Sequence, residues 1–277
     1  MQKISLRANA KINIGLHITA KRPDGYHDIE SCFYPVGWAD EIQISVVEQT
    51  TFSYEGLPIQ GATADNLCLK AYYSLKKDFP ALPDVHIHLV KNVPIGAGMG
   101  GGSSDAAFTL KGLNQLFNLG LNNSQLEDYA RKLGSDCAFF VENKPTLATE
   151  KGDVFSPLGL SLAGKYIVIV YPSLHVSTAE AYSGVKPTQP ATALDVLLKA
   201  PLETWRETVQ NDFEGSVAAK YSQITDLKTD LYGFGAAYAS MTGSGSAVFG
   251  ILEKSVNDSV LAHFEQKQYS VWAGILE

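Results

Sequence analysis

The stretch VPIGAGMGGGSSDAA, residues 93–107, is the densest run of glycine in the chain. Five of the seven residues in 96–102 are glycine, and each would cost about 0.5–1 kcal/mol relative to alanine inside a regular element. Such a run is typical of a loop whose backbone takes positive φ values or lies close to a ligand. The preceding segment alternates like a strand, and the following one has helical spacing. Because free N–H groups and a helix N-terminus then meet, we expect an anion site, most often one for phosphate.

Two serines follow the glycines at the start of this predicted helix. Ser103 and Ser104 would lie in its first turn, where hydroxyl groups suit phosphate oxygens or a bound Mg²⁺. The alternative is a glycine-rich turn that holds no ligand. The density of glycine and its place between strand and helix favour the phosphate site.

Three other patterns imitate known sites. GAGMGG in the loop matches the dinucleotide fingerprint G-x-G-x-x-G, but the region about 20 residues further on predicts a loop and a capped helix instead of a strand ending in an acidic residue. GLSLAGKY, residues 159–166, resembles a P-loop but ends in tyrosine and leads into a strand, so we interpret it as a turn. His86 and His88 share a strand face, but no neighbouring ligand completes a metal set, so a solvated face is expected.

The composition is that of an ordinary globular protein. Of 277 residues, 45% are apolar and 18% are charged, which argues against large-scale disorder. The formal charge of −7 argues against binding to nucleic acid or to anionic membranes. No signal peptide or membrane-spanning run is visible, and three widely spaced cysteines predict reduced thiols. We therefore expect a cytoplasmic protein.

The first half of the chain shows clear periodic segments. Strands are predicted for ISLRANAKINIGLHIT, EIQISVV and DVHIHLV, and helices for ADNLCLKAYYSLKKDF and SDAAFTLKGLNQLFNL. SQLEDYARKLG predicts a further helix, with Ser124 as N-cap, Glu127 closing a capping box and Gly134 ending it.

The second half begins after a segment rich in proline, glycine and charge. We interpret this segment, ENKPTLATEKGDVFSPLG, as the passage between two domains, residues 1–153 and 154–277. KYIVIVYP predicts a buried strand, and residues 192–221 predict two helices separated at Pro201. A glycine turn, MTGSGS, then precedes strand AVFGIL, helix VNDSVLAHFEQK and strand YSVWAGIL.

Three segments together resemble the motifs of the GHMP kinases, the superfamily of galactokinase, homoserine kinase, mevalonate kinase and phosphomevalonate kinase. They are ANAKINIGLHI (8–18), PIGAGMGGGSSDAA (94–107) and MTGSGSAVFGIL (241–252). The resemblance spans nearly the whole chain and implies a two-domain α+β fold. It further implies an N-terminal nucleotide-binding domain, a C-terminal ferredoxin-like domain and an active site in the cleft between them.

Within this superfamily the chain is most similar to the 4-diphosphocytidyl-2-C-methyl-D-erythritol kinases. The similarity lies in AKINIGLHITAKRPDGYHDIESCF (10–33), DNLCLKA (65–71) and the glycine segment. It implies an enzyme that transfers the γ-phosphoryl group of ATP to the 2-hydroxyl of cytidine diphosphate methylerythritol, in the non-mevalonate route to isoprenoids. The alternatives are another GHMP small-molecule kinase, for homoserine or mevalonate, and a non-catalytic nucleotide-binding protein on the same fold.

The resemblance also assigns two catalytic residues, Asp136 and Lys11. A tertiary alcohol must lose its proton as it attacks phosphorus, and a carboxylate within reach can accept it, typically contributing about 10²–10⁴-fold. A neighbouring ammonium keeps that carboxylate ionised and stabilises the developing alkoxide. The alternatives are a helix cap for Asp136 and a solvent-facing strand residue for Lys11.

By the same resemblance, the glycine segment holds the phosphates of ATP, and Mg²⁺ bridges them. Lys91 and Asn92 would lie at its entrance near the adenosine. Ser103 and Ser104 are candidates for a protein oxygen that binds the metal, but the sequence leaves its protein ligands open. TGSGS (242–246) supplies a second set of backbone donors or is a plain turn. The residues assigned to ATP are Lys91, Asn92, Pro94, Ile95, Gly96, Ala97, Gly98, Met99, Gly100, Gly101, Gly102, Ser103 and Ser104.

The cytidyl half of the substrate is assigned to PDGYHD (23–28) and VSTAEAY (176–182). The resemblance implies that Tyr26 and Tyr182 stack on cytosine and that His27 hydrogen-bonds to it. Thr178 would be a nearby polar contact, and Asn13 would face the reacting end. Taken alone, Tyr26 and His27 fit ordinary turn residues equally well.

The chain departs from the family pattern at two places. Met99 stands where leucine is frequent, and Cys137-Ala138 stands where valine and proline are common. Neither change removes a functional group, so both bear on local geometry. The sequence leaves the oligomeric state open between a monomer and a homodimer.

Overall fold

A computed structural model describes residues 2–277 of the chain. It contains strands and α-helices in mixed order, as the predicted α+β fold requires. The strands are β1 (Lys3–Lys21), β2 (His27–Val46), β3 (Thr51–Gly56), β4 (Val85–Lys91), β5 (Thr146–Thr149), β6 (Val154–Pro157), β7 (Tyr166–Tyr171), β8 (Ala236–Met241), β9 (Val248–Leu252) and β10 (Ser270–Ile275). The helices are α1 (Leu67–Asp78), α2 (Gly101–Phe117), α3 (Asn123–Arg131), α4 (Phe139–Glu142), α5 (Thr178–Ser183), α6 (Leu194–Leu197), α7 (Trp205–Thr208), α8 (Phe213–Lys220), α9 (Gln223–Gly233) and α10 (Asp258–Gln266).

The chain divides into two compact units, each built from several segments. The first unit comprises the described residues up to Ala10 together with Ala39–Ile95 and Gly100–Lys144. The second comprises Lys11–Trp38, Gly96–Met99 and Pro145–Glu277. The domain boundary predicted between residues 153 and 154 stays a prediction.

In the first unit, helix α2 packs against a mixed sheet. Strand β4 pairs in parallel with β3 and antiparallel with the end of β2, where Glu41–Val46 face Val90–Val85. Alternate residues of β4 are buried, as its alternating sequence predicts. Helix α2 lies against the sheet, because a Cβ added at Gly112 would be 2.4 Å from Leu6 Cδ1 and 3.0 Å from Ile44 Cδ1. This packing fixes the position of the N-terminus of α2.

The predicted capping box of α3 was placed two residues too late. The helix begins after Asn122, whose side chain accepts from the Gln125 backbone, while the Gln125 side chain accepts from the Asn122 N–H. Ser124 and Glu127 therefore lie inside the helix. Both pairs fit the capping pattern, and the register that starts at Asn122 buries Leu126.

In the second unit, four strands form an antiparallel sheet in the order β10-β7-β9-β8. The chain passes from β7 through helices to β8, turns directly into β9 and returns through α10 to β10. This is the β-α-β-β-α-β arrangement of a ferredoxin-like domain, so that prediction is confirmed. The core consists of buried apolar side chains from the sheet, such as Val168 and Val248, and from its helices, such as Leu227 and Phe264.

One segment contains strands that were not predicted, and another forms more helices than predicted. The segment interpreted as a passage between domains forms the hairpin β5–β6, and β5 pairs with Ser31–Phe33 of β2. The segment 192–221 forms three short helices, α6, α7 and α8, instead of two. The predicted break at Pro201 is present, and a second break before Phe213 separates α7 from α8. Across residues 2–277, no helix is long and apolar enough to cross a bilayer.

Candidate active site

The glycine segment ends in the N-terminus of α2, as predicted. Gly100 is the N-cap, with φ 69° and ψ 18°, and a glycine there has no side chain to bond the first-turn N–H groups. Those N–H groups have no acceptor within the helix itself. With the partial positive charge of the 17-residue helix behind them, they are suited to an anion.

The two serines of the first turn face different surroundings. The buried Ser104 donates its hydroxyl to the Asn9 carbonyl at 2.7 Å, so that hydroxyl is already engaged. Ser103 is partly exposed. A Cβ added at Gly134 would be 3.9 Å from Ser103 Oγ and 3.2 Å from Cys137 Sγ. The first turn of α2 therefore lies against the turn that carries the predicted catalytic aspartate.

Asp136 lies in this turn between α3 and α4 and is half-buried. Its Oδ1 accepts a hydrogen bond from Ser135 Oγ at 3.3 Å. The N-cap of α4 is Ala138, with no side-chain cap, so the structure does not favour the helix-cap interpretation of Asp136. Burial raises the pKa of the neighbouring Cys137 thiol to about 11, which keeps the thiol neutral beside the carboxylate.

A buried cluster of three charged side chains lies at the ends of the glycine segment. Lys91 Nζ donates to Asp40 Oδ2 and, at 3.0 Å, to Asp105 Oδ2. Asp40 Oδ1 accepts from the backbone N–H groups of Asn92 at 2.6 Å and Val93 at 2.8 Å. Asp40 has no exposed surface, while Lys91 is 2% and Asp105 3% exposed.

The charged groups of this cluster shift one another's pKa values. Burial opposes the charge of Lys91, but the carboxylates of Asp105 and Asp40 outweigh it and raise the pKa of Lys91. Burial also raises the pKa of Asp105 to about 7, since the opposing effect of Lys91 is partly offset by the charge of Asp40. Among the described residues, no hydrogen-bond partner reaches Asp105 Oδ1. The cluster therefore holds a cation on Lys91, while Asp105 gives up its proton only near pH 7.

A cavity of about 300 Å³ adjoins this cluster in the first unit. Its walls come from the aromatic residues of β3, from the loop before α1, and from residues at both ends of the glycine segment. They include Phe52, Tyr54, Ile59, Asn66, Leu67, Leu89, Lys91, Ile95, Gly102 and Asp105. A largely apolar cavity with a few polar groups is the usual form of a small-molecule site.

The remaining predicted ATP residues form the loop itself. Pro94, Ala97 and Met99 are buried, whereas Ile95 is 43% exposed at the cavity. The Asn92 side chain donates to the Ala39 carbonyl at 3.2 Å. The buried residues anchor the loop, and its exposed surface is mainly backbone.

In the second unit, Lys11 is buried and bonded to the glycine loop, which is the part of the glycine segment that precedes α2 (residues 93–100). Its side chain is not at the surface of the strand, because Lys11 is only 3% exposed. The ammonium donates to Asn13 Oδ1 and, at 3.3 Å, to the Gly98 carbonyl, and it lies 4.6 Å from the centre of the Phe33 ring. The Lys11 N–H donates to the Met99 carbonyl. The structure thus joins the predicted catalytic lysine, the predicted substrate residue Asn13 and the middle of the glycine loop.

The second glycine turn packs against the same part of the loop. Thr242 Oγ1 donates to the Gly98 carbonyl at 3.0 Å and accepts from the Asn13 N–H at 3.0 Å. A Cβ at Gly98, where φ is 80°, would lie only 2.0 Å from the Thr242 carbonyl oxygen. The turn is therefore more than a connection between strands, since it supports the loop.

The predicted cytidyl residues lie within the second unit. The His27 and Tyr182 rings stack with centroids 4.6 Å apart and planes 22° apart, and Phe213 packs edge-on against Tyr182. Tyr26 is 63% exposed, with Lys151 Nζ 5.4 Å from its ring centre. Thr178 is exposed at the first position of α5, the helix that carries Tyr182. His27 and Tyr182 are thus brought together, while Tyr26 presents its ring to solvent.

Comparison with known proteins agrees with the family resemblance of the three motifs. A family model of the N-terminal domain of GHMP kinases matches residues 66–144, and one of the C-terminal domain matches residues 193–270. A protein of Cytophaga hutchinsonii named 4-diphosphocytidyl-2-C-methyl-D-erythritol kinase is 54% identical over 244 residues, which cover 88% of this chain and 90% of the relative. This chain belongs to the GHMP kinase family.

Other relatives extend the likeness of this GHMP kinase over its whole length. A Parabacteroides distasonis protein of the same name is 44% identical over 97% of this chain and 98% of its own. A crystal structure of 4-(cytidine 5'-diphospho)-2C-methyl-D-erythritol kinase superposes with a TM-score of 0.83 at 29% identity, covering 99% of both chains. Mevalonate kinase of Methanococcus jannaschii, at 12% identity and a TM-score of 0.70, shares the fold.

Sequence reasoning missed Asp40, Asp105 and the aromatic wall of the cavity. The sequence did hold a signal for a buried partner such as Asp40, because Lys91 continues the buried face of β4 formed by Val85, Ile87 and Leu89. A lysine in that register must be paired if it is charged. Nothing in the alternation shows which carboxylate pairs with it.

Proposed function

We propose that this GHMP kinase transfers the γ-phosphoryl group of ATP to the 2-hydroxyl of 4-diphosphocytidyl-2-C-methyl-D-erythritol. The names of its relatives and their coverage of the whole chain support this substrate. The observation on which the proposal mainly rests is the buried Lys11, whose ammonium donates to Asn13 and to a carbonyl of the glycine loop. A lysine buried among polar loop atoms is typical of a site that handles negative charge.

The glycine segment binds the phosphates of ATP in this proposal. The N–H groups of the first turn of α2 supply hydrogen bonds to phosphate oxygens, and the helix contributes its partial positive charge. The adjoining cavity of about 300 Å³ would take the adenosine, with Phe52 and Tyr54 on its wall and Asn66 and Lys91 near its polar edge. Its largely apolar lining favours a flat base over a free sugar.

In the phosphoryl-transfer step, Asp136 accepts the proton of the attacking hydroxyl. Its turn lies against the first turn of α2, where the phosphates would bind, since a Cβ added at Gly134 would be 3.9 Å from Ser103 Oγ. Lys11 stabilises the developing alkoxide by its charge. Asn13, held by Thr242 and by Ser31 at 2.9 Å, orients the reacting end of the substrate.

Mg²⁺ is proposed as the metal of the reaction. The described residues contain no cluster of three or more histidine, cysteine or acidic side chains that could hold a metal ion. Mg²⁺ fits such a surface, since it keeps several waters and is bound largely through substrate phosphates. Ser103 is the protein oxygen proposed for it, because Ser103 is partly exposed in the first turn of α2, whereas the buried Ser104 donates its hydroxyl to the Asn9 carbonyl. When bound, Mg²⁺ neutralises charge on the phosphates.

Cytosine would bind at the PDGYHD turn. The exposed ring of Tyr26 offers one stacking face, and base–aromatic stacking is worth about 1–3 kcal/mol in other proteins. The face of Tyr182 is covered by His27. For the base to lie between both tyrosines, His27 must move aside and meet the edge of the base. We also propose a cytoplasmic location, since all three cysteines are unpaired thiols.

The proposed function is tested by ADP release in the presence of MgATP and a panel of acceptors. We expect turnover with 4-diphosphocytidyl-2-C-methyl-D-erythritol and none above background with homoserine or mevalonate. Turnover with homoserine or mevalonate alone would show a different small-molecule kinase. Binding of ATP without turnover of any acceptor would show a nucleotide-binding protein that is not a kinase.

A further inference from the structure

Both ends of the glycine segment are tied to the same buried cluster in the first unit. Before the glycines, Asp40 of β2 accepts from the N–H groups of Asn92 and Val93. After the glycines, Asp105 in the second turn of α2 accepts from Lys91, which also donates to Asp40. One set of charge-assisted hydrogen bonds thus connects the entrance of the loop to the helix that follows it.

Stability alone does not account for this cluster. Its three charged side chains are between 0% and 3% exposed, and desolvating such charges cancels most of their attraction. Well-packed apolar residues of similar volume would often be as stable or more so. Their hydrogen bonds also define the geometry, because such bonds weaken steeply when donor and acceptor are misaligned.

The cluster also borders the cavity proposed for the nucleotide. Lys91 and Asp105 both contribute to its wall, together with Gly102 of the first turn of α2. A Cβ at Gly101 would come within 3.0 Å of Lys91 Nζ, so the ammonium lies directly against the backbone of that turn. A shift of the cluster would therefore move the N–H groups that face a phosphate.

We propose that Asp40, Lys91 and Asp105 are positioning residues for the nucleotide: they hold residues 92–93 and the start of α2 in the register that phosphate binding requires. The proposal rests on the proposed function, which supplies the nucleotide. The cluster acts on binding through the backbone and touches no reacting atom. Its loss therefore weakens nucleotide binding more than it weakens the fold.

The test is the Kd of MgADP, measured by calorimetry without the second substrate. Asp105→Ala cuts the connection to α2 but leaves Lys91 paired with Asp40, so no unpaired buried charge remains and the variant should fold. We expect its Kd to rise by about 10-fold to 100-fold, the range found when a partner that orients a metal ligand is removed. Asp105→Asn keeps an oxygen towards Lys91 and should restore a Kd close to that of the wild type.

Thr109→Val is the matched control. Thr109 is buried one turn further along α2, and its hydroxyl donates to the Asp105 carbonyl at 2.7 Å. The variant reports any general loosening of the helix while the cluster stays intact, and its Kd should equal that of the wild type. The proposal is overturned if Asp105→Ala lowers the Tm without changing the Kd, or if all three variants weaken binding equally. Failure of the wild type to bind MgADP would overturn the proposed function as well.

Discussion

Asp136 and Lys11 are the two side chains on which the proposed chemistry depends. Asp136→Asn keeps the shape of the side chain and removes the proton acceptor, so kcat should fall by about 10²–10⁴-fold while the KM for ATP changes little. Lys11→Met should lower kcat to a similar extent. The double variant should be less impaired than the product of the two effects, because groups that act in one step are not additive. Steady-state kinetics of the four proteins measure this directly.

Asp128→Asn serves as the control for the loss of a carboxylate. Asp128 is exposed in α3 and lies 3.5 Å from Arg131, and surface pairs of this kind contribute little. Its kcat should match the wild type. An Asp136→Asn enzyme that keeps more than about half of wild-type kcat would remove Asp136 from a role that is expected to contribute at least 10²-fold.

Single residues were predictable where a motif marked them, and their surroundings were not. Lys11 was assigned by resemblance, but its burial was not expected, because a lysine in an alternating strand is usually solvated. Asp40 lies in register with the buried Ile42 and Ile44 of β2. Its pairing with Lys91 joins residues 51 positions apart, and only the folded sheet brings them together.

At the scale of elements, the glycine loop separates positions that require glycine from positions that do not. A side chain at Gly98 would combine a φ of 80° with a Cβ 2.0 Å from the Thr242 carbonyl oxygen. Gly98→Ala should therefore lower the free energy of unfolding by about 2–4 kcal/mol. At Gly102, in the first turn of α2, a Cβ would lie 3.9 Å from Leu67 Cδ1, an ordinary contact. Gly102→Ala should raise the free energy of unfolding by up to about 1 kcal/mol.

Urea denaturation of the nucleotide-free protein measures both changes. The two substitutions, only four positions apart, should change the free energy of unfolding in opposite directions, which glycine content alone would not predict. Equal losses of stability in the two variants would mean that the contact between Gly98 and Thr242 does not support the loop.

Elements with strong local signals were predicted well, and those that depend on distant partners were not. Helix α2 and strand β4 were both expected. The hairpin β5–β6 was interpreted as a passage between domains because Pro145 and Gly152 are typical of loops. Its hydrogen bonds go to Ser31–Phe33 of β2, more than a hundred residues earlier, so no local pattern reveals them. The two candidate caps of α3 show the same limit, since Asn122 and Ser124 each fit the rule locally.

At the scale of the whole molecule, three separated motifs identified the family and therefore the fold. The ferredoxin-like order β10-β7-β9-β8 followed from that resemblance, since spacing alone does not fix the order of strands. The division into two units was expected, but their assembly from several chain segments was not. Strands β1 and β2 each contribute residues to both units, and periodicity along a strand carries no information on such sharing.

The stability of the whole molecule should depend on pH through Asp105. Its pKa is raised from 3.8 to about 7 in the folded protein, so between these values the folded state holds a proton that the unfolded state has released. The free energy of unfolding then falls as pH rises through this window, by up to about 1.4 kcal/mol per pH unit. Lys91 and the Cys68 thiol beside Asp105 do not produce this slope, because the pKa values of both are raised, that of the thiol by burial and that of Lys91, despite burial, by its two carboxylate partners.

Asp105→Asn lacks the proton, so urea denaturation at pH 5, 6, 7 and 8 should show the wild type losing up to about 2 kcal/mol relative to the variant between pH 5 and 7. Above pH 8 the two curves should run parallel. Curves that run parallel from pH 5 upwards would show that Asp105 is already ionised in the folded protein at every pH measured.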